Sequence, residues 1–238
     1  MGRVIMSGVV PLLSKPVKGT EVGTLAVGSS VYLMENNVKT EFLVVNQGNP
    51  DASLYDSSCD GCWLLRKDIK ENRVWQNGNV NIYESSDINT YLNSTFFNLF
   101  DNVAQKVIKQ VKIPYRQGGG SGGTDQKGVN GLSCKAFLLS GYEVGWTLSD
   151  DSSFPVDGAK LVYFGVSTVG NSKRVAYLNS SVAPWWLRSP FKGNTGEVWR
   201  VNSDGGNGYY GSTYSYGIRP ALILLSTAKI DDTGLLIG

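Results

Sequence analysis

The chain of 238 residues contains no histidine. That absence removes the side chain most often used as a general base near neutral pH, and with it the commonest nitrogen ligand of zinc. Cysteine is scarce: Cys59 and Cys62 form the string C-D-G-C, and Cys134 stands alone. Three thiols without histidine fall short of a four-ligand zinc site. C-D-G-C therefore reads as plain reduced cysteines, with a disulfide or redox pair as the alternative, and the odd count fits a protein made in a reducing cytoplasm. No run of lysines or arginines accompanies the net charge of +2, so no nucleic-acid partner is expected. No apolar run approaches ~18 residues, the length a spanning helix needs, and no membrane insertion is expected. The opening "MGRVIMSGVVPLLSKPVKG" is broken by Gly8 and Pro11 and does not read as a signal peptide.

What is present divides unevenly. Residues 1–21 read as a tail or attachment segment, and residues 22–238 as one domain. "TLAVGSSVYLMENNVKTEFLVVNQG" alternates apolar and polar residues about Asn36 and Asn37, which predicts a β-hairpin with a tight turn. "GCWLLRKDI" is a further strand candidate. Ser86 is placed to cap a short helix with an apolar face of Ile88, Tyr91 and Leu92. A second helix is predicted through "FFNLFDNVAQKVIKQV", where Leu99, Phe100, Val103, Val107 and Val111 recur at helical spacing. Lys106, Lys109 and Lys112 would then form a solvated face near its C-terminal end.

"QGGGSGGTDQKG" reads as a flexible loop and lacks the G-K-[ST] ending of a phosphate loop. Short strands and turns are predicted beyond it, in "KAFLLSGYEVGW", "AKLVYFG", "WWLRSP", "GEVWRVNSD" and "GIRPALILL". Ala221 to Leu225 is apolar without alternation, as in a strand buried on both faces. The expected class is α+β, with two early helices, short strands and long loops.

Two strings near the end bracket a polar segment: "WWLRSP" before it and "GIRPALIL" after it. Together with "EFLVV", "YDSSCDGCWLL", "YLNSTF", "KQVKIPYR" and "FLLSGYEVGW", they resemble an uncharacterised domain family of phages and prophages of Gram-positive bacteria, over residues 22–226. More distantly, this end is similar to C-type lectin-like folds, which include phage tropism determinants and the variable proteins of diversity-generating retroelements. The resemblance implies a C-type lectin-like domain on a virion, assembled in the host cytoplasm and set on a tail, fibre or head surface. Its implied partners are a host-surface glycan or protein and other virion proteins, with a homo-oligomer such as a trimer as a further possibility. Formylglycine-generating enzymes share such folds and would make the chain an oxidoreductase. They use a reactive cysteine pair late in the chain, whereas no cysteine here follows Cys134. No enzymatic activity is expected, and a structural decoration protein without a ligand is the other alternative.

The residues themselves predict a division of labour. Trp185 and Trp186 bring a large apolar payload, and Pro184 and Pro190 fix the entry and exit of their corner. Arg188 and Arg219 sit among apolar neighbours and need a carboxylate or carbonyl partner, with Glu143 the candidate carboxylate. Trp185, Trp186, Arg188, Arg219 and Glu143 are expected to be scaffold. From Phe191 to Gly217, 20 of 27 residues are Gly, Ser, Thr, Asn, Asp or Tyr, the mixture found in binding loops. Asn194, Glu197, Trp199, Asn202, Asp204, Asn207, Tyr209, Tyr210, Tyr214 and Tyr216 are the candidate ligand-binding residues. The same residue set is reachable from asparagine codons by changing adenines, so the segment is also a candidate variable region. Glu197, Asn202 and Asp204 carry oxygens suited to calcium. The E-P-N, Q-P-D and W-N-D strings of calcium-binding lectins are missing, and neither a metal nor a cofactor is expected.

Overall fold

The computed structural model describes residues 19–165 and 172–237. Most of the expected tail, residues 1–18, lies outside them. At its end, Thr20–Glu21 already forms a strand, paired antiparallel with Lys229–Ile230, which pairs in turn with Leu236–Ile237. The two ends of the described chain are therefore clasped in one small sheet.

Two five-stranded sheets carry the rest. The first is antiparallel throughout, in the order Ala136–Phe137, Ala221–Leu224, Cys62–Arg66, Val38–Gln47, Ser30–Glu35. Its hairpin turns on Asn36 and Asn37, whose φ of 51° and 62° are left-handed. Asparagine tolerates that region, and two such residues make the turn whose twist matches the strands. Ala221–Leu224 is wholly buried on both faces, as the unbroken apolar run predicts, and so are the first four residues of Cys62–Arg66, while Leu225 is exposed. Trp63 anchors this core, edge-on to Tyr55 and Phe137 at 5.4 and 5.6 Å.

The second sheet runs Asn207–Gly211, Glu197–Val201, Trp185–Pro190, Ser215–Ile218, Glu71–Val74. Its one parallel pairing joins Trp185 to Gly217. Only glycine fits there, because a Cβ on Gly217 would lie 2.9 Å from the Pro184 carbonyl. The mostly β architecture with a few short helices agrees with the α+β class.

Ser86 caps the helix Asp87–Tyr91 as predicted, its Oγ accepting from the Asn89 amide at 3.2 Å. Three other expectations change. The long second helix is broken: Phe100 is extended and buried, Asp101 accepts from the Ala104 amide at 2.9 Å, and the helix spans only Asn102–Val107. Val111 belongs to a strand paired with Cys134, and Lys109 and Lys112 lie past the helix, donating to the carbonyls of Asp60 and Val129. "AKLVYFG" holds a single 3-10 turn, Val162–Phe164, in place of a strand.

The glycine-rich stretch is not a free loop. Tyr115–Gln117 and Thr124–Gln126 pair as a hairpin. Gly118, Gly119 and Gly122 take φ of 79°, 81° and 80° at its tip, and Gly120 is buried. Glycine here serves close backbone approach, since a Cβ on Gly120 would sit 2.0 Å from the Phe191 carbonyl.

Candidate functional site

The strand Trp185–Pro190 is buried along its whole length. Each indole N–H finds a carbonyl: Trp185 donates to Arg174 at 2.8 Å and Trp186 to Arg73 at 3.1 Å. Arg188 grips Glu143 with both arms of its guanidinium, at 2.6 and 2.7 Å, and neither side chain reaches solvent. It also donates to the carbonyls of Pro114, Leu138 and Asp157. Glu143 is held from its other side by the Tyr55 hydroxyl and the Ser140 amide. A buried ion pair survives when every remaining donor and lone pair is met, as here. Arg219 takes a carbonyl, that of Arg66, at 2.9 Å, and lies over Trp185. Burial lowers its guanidinium to about 10. All five expected scaffold residues thus lie in the interior.

Two further buried groups complete the network, and neither was visible in the sequence. Ser189 donates to Asp157 Oδ2 at 2.6 Å while accepting from the Gly141 amide. Asp157 Oδ1 has no partner among the described residues, and burial pushes this carboxyl up to about 7. Asn81 is the second. Its Nδ2 donates to the carbonyls of Glu197, Asn194 and Phe191, and its Oδ1 accepts from the Gly120 amide. Through Asn81 the tip of the glycine hairpin is tied to the loop leading into Glu197–Val201.

On this base stands the polar segment. Glu197–Val201 and Asn207–Gly211 form an antiparallel hairpin whose side chains alternate between two faces. On one face Tyr209 packs against Phe191 and Trp199, with centroids 4.3 and 5.3 Å apart. Trp199 continues inward in a stack with Phe154 at 3.9 Å. On the other face Tyr210 meets Tyr214 edge-on at 4.5 Å and Tyr216 at 5.6 Å, and Tyr216 rests on Trp186 at 5.0 Å. Tyr210 and Tyr214, with Asn79, Asn194, Thr195, Gly196, Glu197 and Gly211, line an open cleft of about 460 Å³.

The ten candidate ligand residues therefore separate. Asn194, Glu197, Tyr210 and Tyr214 are brought together at the cleft. Trp199, expected among the exposed aromatics, is 1% exposed and belongs to the core. It shares its strand face with buried Val201, and its ring fills the space beside Phe154. Tyr216 is half-buried, and Tyr209 is exposed on the opposite face. Asn202, Asp204 and Asn207 build the turn at the other end of the hairpin, ~13 Å away for four residues of strand. There Asn202 donates to the Asn207 carbonyl and Asp204 accepts from the Gly206 amide. The composition is likewise divided by packing. Ser212 is buried and donates to the Gly78 carbonyl, and a Cβ on Gly196 would meet Asn79 at 2.3 Å. Asn79 was missed; its one signal was the string "QNGN", which repeats the asparagine and glycine of the later segment.

The cleft offers two tyrosine rings, amide side chains and a carboxylate, groups able to stack and to form hydrogen bonds. Among the described residues no group of three or more metal-ligating side chains is found. Cys59, Cys62 and Cys134 are free and buried. Burial pushes the thiols of Cys59 and Cys62 up to about 12 and that of Cys134 higher still, the opposite of a reactive thiolate. Among the described residues no helix is long and apolar enough to cross a membrane.

The chain belongs to a family described as a domain of unknown function, DUF6273, whose profile matches residues 60–226. That span begins just before the strand Cys62–Arg66 and ends after Ala221–Leu224, so it takes in the cleft and the buried supports beneath it apart from Tyr55. No curated protein matches the chain. No solved structure matches it.

Proposed function

We propose that the chain is a recognition module with a C-type lectin-like fold, set on a phage tail, fibre or head surface, that binds a host-surface glycan or protein through the Tyr210–Tyr214 cleft. One observation carries the reading. Solvent-exposed tyrosines and amide side chains surround an open cleft, and the strands beneath them are locked by a fully bonded buried ion pair. Stiff aromatics on a rigid base give contact area at low entropic cost, the arrangement that favours binding. The fold assignment is supported by the clasped ends of the described chain and by the long irregular stretch 138–161.

A structural decoration protein needs no such exposed aromatics. An oxidoreductase of the formylglycine-generating type needs a reactive cysteine pair, which the buried thiols do not supply. The test is binding of the full chain to host cells and to a glycan array, against the Tyr210→Ala, Tyr214→Ala double variant. Binding by the wild type that the variant loses, with an unchanged melting temperature, supports the reading. Equal binding by both overturns it.

A further inference from the structure

Among the described arginines, Arg200 stands apart. Arg66, Arg73, Arg116, Arg174, Arg188 and Arg219 each donate at least one hydrogen bond to a protein oxygen. Arg200 donates none, and its buried Nε has no partner. It nevertheless has a defined place. Its guanidinium carbon lies 4.2 Å from the ring centroid of Tyr216 and 5.4 Å from that of Tyr210. Trp186, paired with Arg200 in the neighbouring strand, supports Tyr216 from below. The guanidinium is thus positioned by aromatic faces with its Nε enclosed, while its terminal Nη groups are left to a partner that the protein does not provide.

Leaving a partly desolvated donor unmet is costly, and more so for a charged group. A guanidinium stacked on rings presents a planar fork that matches a carboxylate or phosphate in two parallel hydrogen bonds. The nearest acidic residue along the strand, Glu197, is three positions away and so on the opposite face. It is engaged by the amide of Asn194. Glu71, across the sheet, is paired with Arg73 at 3.0 Å.

We infer that Arg200 is an anion subsite of the tyrosine surface, receiving the carboxylate or phosphate group of a charged glycan. This rests on reading that surface as a recognition site, and it adds a ligand class: acidic sugars or sugar phosphates over neutral ones. Tyr210 joins the two parts, since it both lines the cleft and stacks on Arg200.

The experiment titrates the isotope-labelled full chain with sodium acetate and, separately, inorganic phosphate at constant ionic strength, following the Arg200 Nε–Hε signal and the amides of Tyr210 and Tyr216. A saturable shift at Arg200, with Arg73 and Arg116 unmoved, is expected. The arm that saturates at lower concentration tells carboxylate from phosphate. In Arg200→Gln the shifts at Tyr210 and Tyr216 should need about tenfold more anion, the loss of one charge-assisted bond pair. In Arg200→Lys the loss should be smaller, since charge remains without the fork. Linear shifts of equal size at all surface arginines overturn the subsite. Two outcomes separate it from the recognition reading. Neutral glycans that bind through Tyr214, indifferent to both anions and to Arg200→Gln, overturn the subsite alone. Saturation at Arg200 in a chain whose cell and glycan binding ignores Tyr210→Ala, Tyr214→Ala overturns the reading and leaves the subsite.

Discussion

The strands Trp185–Pro190 and Asn207–Gly211 lie in one sheet, separated by a single strand, and have opposite fates. Every residue of the first is buried and none of the second is. Both are rich in aromatics, so hydrophobicity alone does not set them apart. Position does: Trp185–Pro190 is the middle strand of its sheet and carries the Arg188–Glu143 pair into the interior, whereas Asn207–Gly211 is the edge. The tyrosine hydroxyl tolerates an edge that an indole would rather leave. A buried, fully bonded centre thus carries a rim of exposed side chains.

The largest effect should come from breaking the centre. Arg188→Met leaves Glu143 buried without its cation, which typically costs about 3–5 kcal/mol. A chain that folds in normal yield and melts as wild type would show that the pair is not what holds the strand. Trp186→Ala follows, at about 3–5 kcal/mol for an emptied aromatic site. Because Tyr216 rests on this ring, its removal should also loosen the stack above, read as a lost near-ultraviolet circular dichroism signal.

Gly120→Ala probes the seam between centre and rim. The added methyl meets the Phe191 and Asn194 carbonyls at 2.0 and 2.2 Å, so the hairpin tip must move away from Asn81. Overpacking of this kind costs about 1–3 kcal/mol, and proteolysis at residues 117–124 should quicken. Unchanged melting and cleavage would mean the tip is not seated.

Asp157 makes the centre sensitive to pH. Its carboxyl is raised from 3.8 to about 7 by burial, so the folded state keeps a proton that the unfolded chain releases. Its contribution to stability is full below about pH 4 and is lost as pH rises through 7. Asp157→Asn should flatten the fall in melting temperature between those values; a slope identical to wild type would remove Asp157 as its source.

The smallest effect on folding should come from the rim. Tyr214→Ala should change stability by no more than about 0.5 kcal/mol, while an anchoring tyrosine lost from a binding surface costs about 2 kcal/mol or more of affinity. Tyr209→Ala should be the costlier of the two for folding, since Tyr209 covers Phe191 and Trp199. Equal melting curves for the two would contradict the two-faced arrangement.

Legibility followed the range of the physical signal. The Asn36–Asn37 hairpin, the Ser86 cap and the doubly buried Ala221–Leu224 were readable because each depends on a few consecutive residues. Helical spacing across Phe96 to Val111 misled, since a period says nothing of the Asp101 cap that restarts the chain. The glycine run misled for a related reason: glycine marks both a free linker and a backbone pressed against another, and only the partner, here Phe191 and Asn194, tells which. Arg188 with Glu143 was legible from need alone, as a charge among apolar neighbours must be met.

By itself the sequence determined that a stiff tryptophan corner precedes a tyrosine-rich segment, that the corner lies inside, and that its arginine requires a carboxylate or carbonyl partner. Local composition settles such things because burial and unpaired charge are costly wherever they occur. Only the tertiary structure decided which tyrosines share a face, that Trp199 turns inward, that Asn79 completes the cleft and that Arg200 is left without a partner. Strand alternation and sheet order bring residues far apart in the chain to within a few ångströms, and no window of consecutive residues records those distances.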